Sequence, residues 1–154
     1  MGNEQDSKRF RDFAVAFFEE AREDLDAAKD LFEKERYARA VFLSQQAVEK
    51  AVKSLLEMEK VFIAEHDIIN FFVKFICNNE RYNNFKKSTD SIRENLNFFN
   101  RKWSKTRYPT EEKGIVIKPK EYYKENDALM AMEKAEETLA AIKEILIKKW
   151  DIKL

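Results

Sequence analysis

Proline and glycine are nearly absent from this 154-residue chain, and this restricts the folds open to it. Glycine occurs only at Gly2 and Gly114, and proline only at Pro109 and Pro119. These two residue types interrupt helices and form turns more strongly than any others. Because three of the four lie in one short segment, most of the chain is free to form long helices. Two glycines also cannot build a Gly-rich phosphate-binding loop, which excludes P-loop and dinucleotide-binding proteins of that type.

Apolar residues recur at helical spacing and predict five helices. The predicted helices cover about residues 8–33, 37–60, a third from His66-Asp67 onward, 82–103 and 126–150. The apolar face of the first is assigned to Phe10, Phe13, Phe17, Ala21, Ala28 and Leu31. Short connections favour antiparallel neighbours. The sequence therefore predicts an all-α, up-and-down bundle of about five helices, a single domain over residues 1–154 with its core at about 8–150.

The connection before the last helix is predicted to be long and irregular. Residues 104–125 have no helical period, and they contain Pro109, Gly114, Pro119 and a β-prone run at 115–117. Irregular connections of this length are uncommon in compact domains and are often functional. Pro109 also keeps Tyr108 out of the helical region. We therefore expect a ligand or partner site near Arg107 and Tyr108.

Charge and composition exclude several classes of protein. Acidic and basic residues are equal in number, 29 of each, which argues against a general nucleic-acid coat protein. The charge is uneven, since residues 19–35 hold eight acids and three bases whereas residues 81–107 hold eight bases and two acids. Cys77 is the single cysteine, so no disulfide forms within the chain. The sequence has no apolar run long enough to span a bilayer and no secretory signal. These features predict a cytoplasmic protein that does not associate with a membrane.

Few residues have catalytic potential. His66 is the only histidine, whereas His-Asp metal sites need several, so we predict no metal, no cofactor and no catalytic residue. In the second helix Gln46, Glu49, Lys50 and Lys53 share one polar face. This face is either a binding surface or a solvated surface with a Glu49–Lys53 pair. In the fourth helix, basic residues alternate with the aromatic residues Phe98, Phe99 and Trp103, which either stack on bases or pack in the core.

Three stretches together resemble a known family. They are RYARAVFLSQQAVEKAVKSLL at 36–56, His66-Asp67, and Arg107-Tyr108-Pro109. This combination resembles the HEPN domain family (higher eukaryotes and prokaryotes nucleotide-binding) over about residues 17–146. The resemblance implies a helical bundle that dimerises, often beside a separate minimal nucleotidyltransferase. One branch of the family cleaves RNA with an Arg followed four to six residues later by His. Arg101 is the natural counterpart of that Arg, but residues 102–107 contain no His. The resemblance therefore implies a nucleotide-binding or partner-binding module, the companion of a separate nucleotidyltransferase.

The resemblance and the polar face lead to one predicted site. Its residues are Gln46, Glu49, Lys50, Lys53, Arg101, Arg107 and Tyr108. Arg107 has a planar fork suited to phosphate, Tyr108 offers a ring for stacking, and the lysines act as point charges. The predicted ligand is a nucleotide such as ATP, with RNA less favoured. A homodimer through Phe98, Phe99 and Trp103 is also predicted. The alternatives are a ribonuclease toxin of a toxin–antitoxin pair with a divergent active site, or a purely structural dimeric scaffold.

Overall fold

The computed structural model describes residues 4–63, 68–100 and 103–154. Its elements are α1 (Glu4–Glu33), α2 (Tyr37–Met58), α3 (Ile68–Phe72), α4 (Lys86–Asn100), α5 (Trp103–Arg107), β1 (Thr110–Glu112), β2 (Ile115–Ile117), α6 (Pro119–Tyr122) and α7 (Glu125–Trp150). A π-helical turn, Val73–Cys77, continues α3, and a 3-10 turn, Glu80–Phe85, leads into α4. None of these helices is long and apolar enough to cross a membrane.

Contacts along the four long helices give their directions. Arg11 near the start of α1 donates to the carbonyl of Asp151 after α7, at 2.9 Å, and Lys29 pairs with Glu136 at 2.8 Å. α1 and α7 are therefore antiparallel. Tyr82, just before α4, accepts from Trp150 at the end of α7, whereas Asn95 late in α4 donates to the carbonyl of Lys134, so α4 and α7 are antiparallel as well. The prediction of an all-α, up-and-down bundle is confirmed, with α1, α2, α4 and α7 alternating in direction.

Small residues at every seventh position bring α1 close to α2. Ala14, Ala21 and Ala28 are each fully buried, and Phe18 and Leu25 lie between them. This spacing of four and three residues is the one that keeps a seam facing a partner helix. The predicted face was wrong at Phe13, whose side chain is 46% exposed. The large phenylalanines suggested one face, but close packing of two helix backbones requires the alanines to lie between them.

The connection between α4 and α7 is more ordered than the sequence predicted. It contains α5, α6 and a hairpin in which Glu111 pairs with Val116. The strand β2 confirms the β-prone run, whereas α5 and α6 were missed because five and four residues are too few to show a period. The hairpin turn has positive φ at Lys113, 51°, and Gly114, 79°, as two-residue hairpin loops require. Gly114 adopts this conformation without steric strain.

A buried carboxyl group on α2 predicts a pH-dependent stability. Glu57 is 5% exposed, and burial raises the pKa of its carboxyl while the charge of Arg9 opposes the rise. A raised carboxyl pKa means that the folded state holds the proton more tightly than the unfolded state. The resulting stabilisation is complete below the ordinary pKa of 4.5 and is lost as pH rises through the folded value. We therefore expect Glu57→Gln to raise the melting temperature by about 2 °C or more at neutral pH.

The control for this prediction is a substitution of the same kind at the surface. Glu94 lies exposed on α4, and Glu94→Gln is expected to leave the melting temperature unchanged. Thermal unfolding followed by circular dichroism near pH 7 and near pH 4 measures both variants. A gain from Glu57→Gln that is equally large at both pH values would contradict the prediction, because the cost of ionisation is absent at the lower pH.

Candidate functional site

A cleft of about 530 Å³ lies where α2 begins, between that helix, the end of α5 and the start of α6. Its lining residues are Glu35, Arg36, Tyr37, Ala38, Arg39, Arg107, Lys118, Pro119, Lys120 and Tyr123. The chain reaches it from three directions, because the connection after α4 folds back over the start of α2. Half of the lining residues therefore belong to the segment that the sequence singled out as irregular.

Positive charge dominates the lining of the cleft. Five of the lining side chains are Arg or Lys, and Glu35 is the one acid among them. Within the described residues, no carboxylate pairs with Arg36, Arg39, Lys118 or Lys120. Like charges that outnumber the counter-charges around them raise the local potential and attract anions. The cleft is consequently suited to a ligand with several negative charges.

Neutral donors add to the charges. α2 begins at Tyr37, and a helix start presents backbone N–H groups and the positive end of the helix dipole. Tyr123 is 3% exposed, and burial together with the charges of Tyr122 and Asp127 raises its pKa to about 12. Its phenol therefore stays protonated at neutral pH. A hydroxyl that keeps its proton can donate a hydrogen bond to an anion.

Arg107 connects the cleft to the polar face of α2. Its Cζ atom lies 4.6 Å from the centre of the Phe42 ring, a cation–π distance. Gln46, Glu49 and Lys53 follow Phe42 at four, seven and eleven residues, so they lie along the same face of the helix. The structure thus places Arg107 at the head of the predicted polar face. The Nε2 atom of Gln46 is buried and has no hydrogen-bond partner in the described part of the chain.

The two predicted lysines differ in their surroundings. Lys50 turns towards α1, where its Nζ lies 2.7 Å from Asp24 and 3.3 Å from Glu20. Burial lowers the pKa of Lys50, but the hydrogen bonds and charges of these two acids outweigh it and the net shift is upward. Lys53 pairs with Glu49 at 3.0 Å, the pair that the solvated-surface alternative expected, but Glu49 is buried rather than solvated. Neither lysine lines the cleft, and their role towards a phosphate stays a prediction.

The remaining predicted residues are distributed over several environments. Tyr108 follows α5 and is 56% exposed. Arg101, His66 and Asp67 lie outside the described residues, as does the side chain of Trp103. Phe99 is 3% exposed and packs edge-to-face on Phe98 at 5.0 Å. Phe99 therefore belongs to the core, and its assignment to a dimer interface was wrong.

Sequence reasoning missed most of the cleft. Arg36, Arg39, Lys118 and Lys120 were not singled out, although signals for them exist. Arg36 and Arg39 flank the first turn of the second helix, and both lysines flank Pro119, the second proline of the irregular segment. Searching for bases near a helix start and near the other proline would have found them. What the sequence could not show is that these two places meet in space.

The described residues offer little for metal binding or for catalysis by a thiol. Among the described residues, no group of three or more His, Cys, Asp or Glu side chains could hold a metal ion. Burial raises the pKa of the Cys77 thiol, opposed by the charge of Arg93. A thiol with a raised pKa is a poor nucleophile at neutral pH.

The four long helices and the connection between α4 and α7 define an all-α helical domain with a positively charged cleft at one end. The family model for the HEPN domain matches residues 14–145 of the chain. The chain therefore belongs to the HEPN domain family.

Individual relatives agree with this assignment. The curated protein "Putative toxin MJ1304" of Methanocaldococcus jannaschii is 30% identical over 141 residues, which are 92% of this chain and 93% of that protein. The crystal structure of ST0689, described as an archaeal HEPN homologue, has a TM-score of 0.63 and 28% identity, and the match covers 85% of this chain and 95% of that one. The crystal structure of TT1696 from Thermus thermophilus has the same TM-score at 22% identity, covering 85% and 96%, and it supports the fold alone.

Proposed function

We propose that this HEPN domain binds a nucleotide, with the phosphates in the cleft at the start of α2. The observation that carries the proposal is the convergence of Arg36, Arg39, Lys118 and Lys120 on one cleft without a carboxylate partner in the described residues. Charge-assisted hydrogen bonds from such groups to phosphate are among the stronger polar contacts in proteins. The name of the HEPN family refers to nucleotide binding, and membership of this family supports the same class of ligand.

The polar face of α2 extends the proposed site beyond the phosphates. Arg107 lines the cleft and its guanidinium lies over the ring of Phe42, one turn before Gln46 on the same face of α2. In this arrangement Arg107 donates to phosphate through its fork. Tyr108, which is largely exposed, is the proposed stacking partner for the base. Arg101 keeps its predicted place in the site as part of the proposal.

A titration of the purified chain with ATP, GTP, inorganic tripolyphosphate and a short RNA tests this proposal. We expect ATP or GTP to bind more tightly than tripolyphosphate, and Arg39→Ala to weaken binding about tenfold or more. Lys87→Ala is the matched control, because Lys87 is an exposed base on α4 away from the cleft. Equal losses in the two variants would mean that binding reflects general charge. No binding of any probe at millimolar concentration would reject the proposal.

A second candidate function is a ribonuclease toxin, and the name of the Methanocaldococcus relative supports the toxin part of this candidate. Cleavage of RNA by acid–base chemistry needs a group that titrates near neutrality, and His66 is the chain's only histidine. The nucleotide-binding proposal predicts no cleavage. Incubation of the chain with a labelled RNA distinguishes the two candidates, because cleavage that Arg101→Ala abolishes would favour the toxin.

Partners and assembly are part of the proposal. A homodimer and a separate minimal nucleotidyltransferase, both implied by the family resemblance, are the proposed partners, and the cytoplasm is the proposed location. The name of the toxin relative supports a protein partner of some kind. A reading frame for a small nucleotidyltransferase beside the gene would support the second partner, and light scattering at tens of micromolar measures the first.

A further inference from the structure

The hairpin between α5 and α6 projects from the bundle and exposes aliphatic side chains. Ile115 and Val116 are each 66% exposed, although neighbouring residues of a strand point to opposite faces of a sheet. Both faces of the hairpin are therefore open to solvent at this point. The sheet has only the two strands β1 and β2 among the described residues, so each strand has one unpaired edge.

The two edges differ in chemistry. β1 carries Glu111 and Glu112, both exposed, and charged side chains are a usual means of blocking unwanted strand pairing. β2 consists of Ile115, Val116 and Ile117 and carries no charge. An uncharged, β-branched edge is a favourable template for another strand. The edge of β2 is thus open to strand addition, whereas that of β1 is blocked.

The charges beside β2 indicate which strand would fit. Residues 113–120 contain Lys113, Lys118 and Lys120 and no acid, and all three lysines are exposed. A second copy could instead place its own β2 beside this edge, antiparallel and centred on Val116. Lys118 of one copy would then lie opposite or beside Lys113 of the other. Like charges placed opposite each other across strands are destabilising. A strand with acidic residues at both ends is instead complementary to this edge.

We propose that β2 is the docking edge for an extended segment of a partner protein, apolar in its centre and acidic at both ends. The segment adds to the hairpin as a third strand, as in other cases of strand addition to an exposed sheet edge. Its backbone pairs with β2, and its acidic ends meet Lys113 and Lys118. Lys118 also lines the proposed phosphate cleft, but Ile115, Val116 and Ile117 do not, so this proposal stands if the phosphate-binding proposal fails.

The test uses a synthetic peptide, Glu-Glu-Ile-Thr-Val-Glu-Glu, and a control peptide in which lysine replaces every glutamate. Amide cross-peaks of the isotope-labelled full chain are followed by NMR during titration, which detects weak binding. We expect the acidic peptide to shift the amides of residues 114–118 and to bind at least about tenfold more tightly than the basic one. Val116→Glu is expected to weaken this binding to a similar extent, because it places a negative charge on the edge.

The outcomes separate this partner from other occupants. Equal binding of both peptides, or shifts outside residues 114–118 only, would overturn the proposal. A wild-type dimer that Val116→Glu converts to a monomer in light scattering would also overturn it and assign the edge to a second copy. Binding to vesicles with anionic headgroups that Val116→Glu removes would assign the edge to a membrane surface. Thermal unfolding of Val116→Glu followed by circular dichroism shows that the variant is folded.

Discussion

Replacing Arg107 with alanine is expected to weaken nucleotide binding by roughly 1.5–3 kcal/mol, the scale of a charge-assisted hydrogen bond to a buried or half-buried anion. Arg107 is half-buried at the end of α5 and lines the cleft. Its guanidinium is already held over the Phe42 ring, so little rotational freedom is lost when a phosphate binds. Isothermal titration with ATP, or with GTP if that binds better, measures the loss.

Two further variants make this prediction specific. Arg107→Lys keeps the charge but loses the planar fork, and we expect it to recover only part of the affinity. Phe42→Leu removes the ring beneath Arg107 while keeping an apolar side chain, and we expect a smaller loss than from Arg107→Ala. A structural role makes a different prediction. If Arg107→Ala strongly lowers the melting temperature while the parent chain binds no nucleotide at millimolar levels, Arg107 supports the connection after α4 and the binding proposal is wrong.

Replacing Glu59 with alanine is expected to lower the free energy of unfolding by about 1–3 kcal/mol, because it leaves a buried hydroxyl without its acceptor. Tyr82 is 2% exposed, and its hydroxyl donates to Glu59 Oε1 at 2.6 Å. Arg81 pairs with the same oxygen at 2.9 Å, and the Trp150 indole donates to the Tyr82 hydroxyl at 3.4 Å. These contacts join the end of α2, the turn before α4 and the end of α7.

Denaturation in urea measures the effect of Glu59→Ala. Glu80→Ala is the matched control, because Glu80 is exposed in the turn that contains Tyr82. Tyr82→Phe removes the donor together with the need for an acceptor, so we expect it to cost less than Glu59→Ala. If the two substitutions cost the same as Glu80→Ala, this cluster does not hold the three segments together.

The same cluster predicts behaviour at high pH. Burial, followed by the hydrogen bond to Glu59 and its charge, raises the pKa of Tyr82 above the ordinary 10.0. A group that is harder to ionise in the folded state contributes stability below its unfolded pKa, and this stability is lost as pH rises through the folded value. The stability of the wild-type chain should therefore fall as pH rises above 10.0, and that fall should be smaller in Tyr82→Phe.

The bundle could be predicted from the sequence because its long helices repeat one pattern over many residues. The predicted start and end of α2 and α7 lie within a few residues of the observed ones, since each helix averages its signal over more than twenty positions. α5 and α6 carry too few residues for that. The face of α1 was misjudged at Phe13 because residue size was given more weight than the Ala14–Ala21–Ala28 spacing.

The candidate site could be predicted only where its residues share one helix. The common face of Gln46, Glu49 and Lys53 follows from helical spacing. Arg107 lies over Phe42 on that face, and its predicted groove with Lys50 and Lys53 stays a prediction, since neither lysine lines the cleft. The orientation of Lys50 depends on Asp24 and Glu20, which belong to another helix. The cleft itself depends on contacts between residues that are distant in the sequence, at the start of α2 and around α6, and no local pattern encodes such contacts.

The segment between α4 and α7 starts and finishes at the same end of the bundle. As a result, the constraints of folding and those of recognition fall on different parts of the chain. Because α4 and α7 are antiparallel, a direct link between them needs only a few residues. The exposed hairpin of this segment can therefore change in length and sequence with little effect on how the four long helices pack, whereas Thr106 and Tyr123 are buried. Mutations that alter recognition can accumulate in this segment while selection for folding acts on the helices. A domain organised in this way can acquire new ligands or partners through insertion and deletion at a single place.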